Sequence, residues 1–212
     1  YQVNNFFENL AYGYTSLPNP DLGPETSESW EGGIKFSTEA VSLQLAAFTA
    51  DYDDFISQQV VGGSFTPMDP AQYQFVNYDA VAIDGVEAKA NFRMGNGFYS
   101  RFAIAYADGD ILSPGQAPAP LDTIDPLNLV LGIGYRQPQG RFGGELIATH
   151  HARKPLDETD GGYRPDAFTI LDATAFFALT DALKLRAGIF NIFDEKYAYW
   201  QDVRGLSATS TT

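Results

Sequence analysis

Two histidines stand side by side in this chain, His150 and His151, followed by Ala152-Arg153-Lys154-Pro155. They are its only imidazoles, the side chains best suited to metal ligation or to proton transfer near neutral pH. Their spacing argues against joint chelation, because adjacent residues of a strand point to opposite faces. Either both are interfacial polar groups, or one serves a ligand with Arg153 or Lys154 beside it. A hydrolytic pair of His150 with Ser16 or Ser113 is the only enzyme fragment on offer. The chain has no Gly-x-Ser-x-Gly elbow, no His-x-x-x-His and no phosphate loop. Gly95-Asn96-Gly97 reads as a turn and Gly161-Gly162-Tyr163 as a flexible loop tip.

Carboxylates are the other chemically capable group. Asp51, Asp53, Asp54, Asp69, Asp108, Asp110, Asp122, Asp125, Asp157, Glu158, Asp160 and Asp166 fall in or beside long connections. They could hold a divalent cation, but solvated loops have the same composition. The net charge of −14 excludes a nucleic-acid partner, which needs a basic footprint. With no cysteine there is neither a disulfide frame nor a thiolate metal site.

The elements that must position these groups are strands. Apolar and polar residues alternate with period two. Over 127–136, Leu127, Leu129, Leu131, Ile133 and Tyr135 share one face; Asn128, Val130, Gly132, Gly134 and Arg136 share the other. Over 98–106, Phe98, Phe102, Ile104 and Tyr106 oppose Tyr99, Arg101, Ala103 and Ala105. Val86, Ala88, Ala90 and Phe92 alternate with Glu87, Lys89 and Asn91, and Leu183, Leu185, Ala187 and Ile189 with Lys184, Arg186 and Gly188. Eight strands are expected, near 26–37, 41–52, 79–93, 98–107, 126–137, 141–151, 167–179 and 183–193. Their connections alternate strictly. Short turns lie at Ser37-Thr38-Glu39-Ala40, Gly95-Asn96-Gly97, Pro138-Gln139-Gly140 and Thr180-Asp181-Ala182. Long loops run over 53–78, 108–125, 152–166 and from 194 onward.

A soluble sandwich also alternates, but three details favour a membrane. The strands are long enough to cross a bilayer at a tilt. Aromatic residues gather at strand ends: Phe36, Phe92, Phe98, Tyr135, Phe142, Phe176 and Phe177 on the short-turn side, and Tyr52, Tyr106 and Phe193 on the other, as interfacial girdles do. The faces opposite the oily ones carry charge and small residues, which suits a wet or plugged lumen. No run of 18 or more apolar residues could form a spanning helix. The expected fold is therefore all-β, an antiparallel transmembrane β-barrel, with short turns toward the periplasm and long loops outside. Eight strands that stop after Ser207-Ala208-Thr209-Ser210-Thr211-Thr212, with no secretion signal at Tyr1-Gln2-Val3-Asn4-Asn5, read as part of a larger barrel. An open piece leaves unpaired edges that lipid does not tolerate.

Two segments resemble a known family. Gly188-Ile189-Phe190-Asn191-Ile192-Phe193-Asp194-Glu195-Lys196-Tyr197, followed by Trp200-Gln201-Asp202-Val203-Arg204-Gly205-Leu206, looks like the last up-strand and final outer loop of TonB-dependent outer-membrane receptors. Gly13-Tyr14-Thr15-Ser16-Leu17-Pro18-Asn19-Pro20-Asp21-Leu22, then Pro24-Glu25-Thr26-Ser27, looks like an internal box of the same family. Together they resemble its heme/hemoglobin receptor branch. The resemblance implies that 1–212 is the carboxyl-terminal part of a 22-stranded barrel, without the plug and the last strand. It implies an outer-membrane location among lipid and lipopolysaccharide, coupling through the plug to a TonB-ExbB-ExbD complex, and no catalysis. It implies no intrinsic cofactor, with heme or a hemoprotein as the transported ligand. A ferric-siderophore or other nutrient receptor is the alternative within transport; a surface adhesin or soluble β binding module is the alternative outside it.

The candidate ligand-binding residues are Tyr12, Tyr14, Asn19, Asp21 and His150. Family members carry a heme-ligating histidine ahead of the Asn-Pro box, and residues 1–19 have none. Tyr12 and Tyr14 are the substitutes there, since tyrosinate also ligates heme iron. The box has its own physics. Pro18 and Pro20 fix φ and push Leu17 and Asn19 extended, while Asn19 and Asp21 can close side-chain turns on nearby backbone. It is either a structural stop or part of the docking surface.

Overall fold

The computed structural model describes residues 14–63, 68–78, 80–155 and 162–204, with Tyr14 described by its backbone alone. In chain order the strands are β1 (Tyr14–Leu17), β2 (Thr26–Ser37), β3 (Val41–Asp53), β4 (Ile56–Gly62), β5 (Ala71–Asn77), β6 (Ala80–Gly95), β7 (Phe98–Leu112), β8 (Ala119–Pro120), β9 (Asn128–Arg136), β10 (Phe142–His151), β11 (Phe168–Ala178) and β12 (Lys184–Ile189), followed by a helical turn α1 (Trp200–Val203). Nine strands form one sheet in the order β12-β11-β10-β9-β7-β6-β3-β2, with β8 paired to β7. Sequential strands are neighbours along most of this path, the meander that short turns impose.

Three of the four short turns show a local cause. Thr38 Oγ1 accepts from the N–H groups of Ala40 and Val41 at 3.3 and 3.0 Å. Thr180 Oγ1 does the same for Ala182 and Leu183, so two turns share one hydroxyl device. Asn96 and Gly97 both take positive φ, +48° and +90°, the two-residue hairpin that matches strand twist. Any side chain at 97 would drive its Cβ to 2.3 Å from the Arg136 carbonyl oxygen.

Register settles which residues share a face. Phe98 pairs with Tyr135, Phe102 with Leu131 and Ile104 with Leu129. Leu131 pairs with Ala148 and Ile133 with Leu146; Phe142 pairs with Phe177 and Phe177 with Leu185. This is the oily face, and its large side chains are exposed: Leu131 by 44%, Ile133 by 55%, Leu146 by 53% and Ile189 by 66%. So large an apolar surface needs an apolar medium. Phe98, Tyr135 and Phe142 form an aromatic row on it, with centroids 5.0 and 5.8 Å apart. Phe176 is not part of that row. It lies on the polar face, with the Arg136 guanidinium 5.4 Å and the Lys184 ammonium 5.0 Å from its centroid. Arg101 Nε pairs with Glu145 Oε1 at 2.5 Å on the same face.

The long connections differ from expectation. The stretch 53–78 contains β4 and β5, which join β1 in a separate three-stranded sheet. The stretch 108–125 contains the end of β7 and its partner β8, through Asp110 with Pro120 and Ile111 with Ala119. The last strand ends at Ile189 rather than 193, because Asn191 turns the chain with φ +48°.

The chain divides into two compact units: Tyr1–Trp30, Thr49–Ile83 and Gly109–Leu121 form one, and Glu31–Phe48, Asp84–Asp108 and Asp122–Thr212 the other.

Candidate functional site

The first unit holds the Asn-Pro box. β1 runs parallel to β5, with Tyr14 opposite Ala71 and Leu17 opposite Gln74; β4 runs antiparallel on the other side of β5. Beyond Leu17 the prolines deny the backbone its ladder donors, so side chains take over. Asn19 Nδ2 donates to the Phe75 carbonyl at 2.8 Å, and Asn19 Oδ1 accepts from the Asp21 N–H at 3.1 Å. Gln74 Nε2 donates to the Pro18 carbonyl at 2.8 Å. Asn77 is the hub. Its Oδ1 accepts from Gly23 N–H at 2.8 Å, and its Nδ2 donates to the carbonyls of Gly23 and Asp54 at 3.2 and 2.6 Å. Glu25 Oε2 accepts from Ile56 N–H at 2.9 Å. The box is thereby stitched to the small sheet along its length.

The second unit holds the final motif. Asn191 and Asp194 both take positive φ, +48° and +52°, a conformation asparagine and aspartate tolerate better than other residues with a side chain. Asn191 Nδ2 donates to the Glu195 carbonyl while its Oδ1 accepts from the Glu195 N–H, both at 2.9 Å. Its own N–H donates to Asp172 Oδ1 at 2.7 Å, and Ile192 N–H donates to the Leu171 carbonyl at 2.8 Å. These bonds explain why the motif needs asparagine there. Trp200 then fastens the loop. It is 6% exposed, and its indole N–H donates to the Asp122 carbonyl at 2.7 Å. Gln201 Nε2 reaches Asp125 Oδ2 at 2.5 Å.

Four rings pack between these anchors. His151 stacks on Phe168 at 4.9 Å and 20°, and Phe168 on Tyr197 at 4.6 Å and 22°. Tyr199 meets His151, Phe168 and Tyr197 edge-on at 5.1, 5.6 and 5.3 Å. Burial, and then Tyr197 beside it, hold the Tyr199 phenol above its ordinary value, so it stays a neutral hydroxyl.

The five candidate residues are not gathered into one constellation. Tyr12 lies outside the described residues, and Tyr14 is placed only by its strand. Asn19 is engaged in the clamp. Asp21 carries an exposed side chain next to it. His150 pairs with Leu129 and Thr169, which puts it on the oily face, its Nδ1 2.9 Å from Thr169 Oγ1. The polar-face histidine is His151, opposite Asn128 and Phe168. Alternation says that the two diverge; only cross-strand register says which goes where. Sequence reading also missed Asn77 and Gln74, which fall in a stretch read as one long connection and carry no motif of their own.

The architecture is that of an outer-membrane β-barrel, with one oily face and one polar face along a meander of long strands. The family model "TonB dependent receptor-like, beta-barrel" matches residues 1–192, and the chain belongs to that family. It is 26% identical over 94% of its length to the "Probable hemoglobin and hemoglobin-haptoglobin-binding protein 4" of Haemophilus influenzae, of which it covers 22%. It is 25% identical over 94% to the "Hemoglobin and hemoglobin-haptoglobin-binding protein" of Haemophilus ducreyi, covering 24%. The "Hemoglobin-haptoglobin utilization protein B" of Neisseria meningitidis is 24% identical over 91%, with 28% covered. The chain thus spans about a quarter of the length of these relatives. Among solved structures, the "Copper transporter OprC" superposes with a TM-score of 0.77 at 20% identity, over 91% of this chain and 30% of its own. The siderophore receptor PirA from Pseudomonas aeruginosa gives 0.63 at 20%, over 85% and 29%. At these identities the structural likeness concerns fold alone.

Proposed function

We propose that this chain is part of an outer-membrane receptor that binds and imports heme, taken from hemoglobin or another hemoprotein. One observation carries the reading: relatives named for binding hemoglobin and hemoglobin–haptoglobin, or for hemoglobin–haptoglobin utilization, align with 91–94% of the chain. The stitched Asn-Pro box and the latched final loop support it, being stiff platforms of the kind a docking surface needs. Outer loops would hold the ligand, and a TonB-ExbB-ExbD complex would supply the energy for its passage. Tyr12 and Tyr14 are the proposed iron contacts and Asp21 a rim contact, with Asn19 shaping the loop. Of the two histidines, His151 is the one on the polar face and His150 the one on the oily face.

A heme titration of the full-length receptor in detergent tests this. A saturable, shifted Soret band is expected. No shift from a folded barrel would overturn heme import and turn attention to ferric siderophores. The lipid contact of the oily face has its own test. Leu131→Arg should destabilise the full-length barrel in bilayers by about 2–4 kcal/mol if that side chain meets the hydrocarbon core. Unfolding at the wild-type denaturant midpoint would refute the assignment.

A further inference from the structure

A cavity of about 190 Å³ opens beside the ring cluster of the second unit. Its apolar walls include His151, Phe168 and Tyr199. Pockets that enclose a drug-sized ligand measure about 300–1,000 Å³, so this one has no room for a porphyrin. It has room for one side chain. Three carboxylates, Asp125, Asp166 and Asp202, also line it, against a single lysine, Lys154. Arg153 reaches Asp166 only at 3.8 Å, in an exposed pair of little strength.

We propose that this cavity receives one cationic side chain, lysine or arginine, from a protein ligand. The assignment rests on the hemoprotein reading above and adds what that ligand must present. Aromatic faces attract a cation placed within about 6 Å of a ring centroid, and carboxylates add charge-assisted hydrogen bonds. Neither wall alone selects a cation so well. The rings are already held against one another: Phe168, buried, is stacked with both His151 and Tyr197, and Tyr199 stands edge-on to all three, so Tyr199 is the ring left to meet the cation. Such preset aromatic surfaces lose little conformational entropy on binding. Trp200 and Gln201, tied to Asp122 and Asp125, keep the mouth of the cavity in place.

The test compares hemoglobin with free heme on the full-length receptor in detergent, using wild type, Tyr199→Leu, Tyr199→Phe and Asp202→Asn. Tyr199→Leu and Asp202→Asn should each weaken hemoglobin binding about tenfold, the scale of one desolvated cation–π or ionic contact. Tyr199→Phe keeps the ring and should keep the affinity, and free heme should bind all four proteins alike. Unchanged hemoglobin affinity in Tyr199→Leu and Asp202→Asn overturns the proposal. So does a parallel loss of hemoglobin and heme, which would mean a collapsed loop. A wild-type receptor that binds heme but not hemoglobin sinks the cationic cavity while heme import stands; binding of neither removes both.

Discussion

Two asparagines organise the two motif segments, and they do so over different distances. Asn191 closes on Glu195, four residues away, and borrows only Asp172 and Leu171 from the neighbouring strand. Asn19 reaches Phe75, 56 residues away, in a segment held by Gln74 and Asn77 over 54 to 56 residues. The final loop is therefore closed mainly by its own sequence, whereas the Asn-Pro box is ordered only once β5 has arrived. Loop-closure entropy must be met before such distant bonds return anything. The box should be the more easily loosened of the two, and the final loop the more dependent on a single residue.

The strongest way to break this contrast is at Asn191. Asn191→Ala removes two side-chain bonds and leaves a left-handed residue without its preference, a loss of about 2–4 kcal/mol. Hydrogen exchange should accelerate over 189–204 and stay as it was over 14–25. Next comes Asn77→Ala, which deletes three bonds at the hub and should cost about 2–3 kcal/mol. Here exchange should rise over 14–25 and 54–62 with 189–204 untouched; a rise in both regions would erase the distinction between local and remote closure. Trp200→Phe keeps one aromatic ring but removes the pyrrole part of the indole and with it the donor to the Asp122 carbonyl, about 1–2 kcal/mol for the lost bond alone. Protease cleavage near α1 should become faster. The smallest effect belongs to Asn19→Asp, which retains an acceptor for Asp21 N–H and loses the donor to Phe75. A change of about 1 kcal/mol is expected, read as lowered protection of β1 alone; no change would show that Gln74 and Asn77 hold the box without it.

Most of the large sheet was legible from alternation. The expected strands at 26–37, 41–52 and 141–151 agree with β2, β3 and β10 to about one residue, because oily faces such as Leu129-Leu131-Ile133 leave no freedom of register. The small sheet was not legible. Ser57-Gln58-Gln59 offers β4 no oily face, and in β5 the alternation of Tyr73 and Phe75 with Gln72 and Gln74 is short and was passed over inside a long connection; β4, β5 and β1 hold as strands because they pair with one another, a tertiary cause that local propensity does not contain. The early end of β12 was hidden for a related reason. Phe190, Ile192 and Phe193 continue an apolar run, and only the backbone angle at Asn191 interrupts it. For the candidate site, sequence named residues without being able to assign their faces. It singled out His150, but cross-strand pairing gives the polar face to His151.

The burial of Trp200 has an optical consequence. The chain has two tryptophans, and they sit in opposite surroundings: Trp30 is 70% exposed and Trp200 6%. A quencher dissolved in lipid or water can strike the first and not the second. With other tryptophans of the whole receptor replaced, the emission of Trp200 becomes a built-in gauge of whether the final loop is seated, readable during ligand binding without any label.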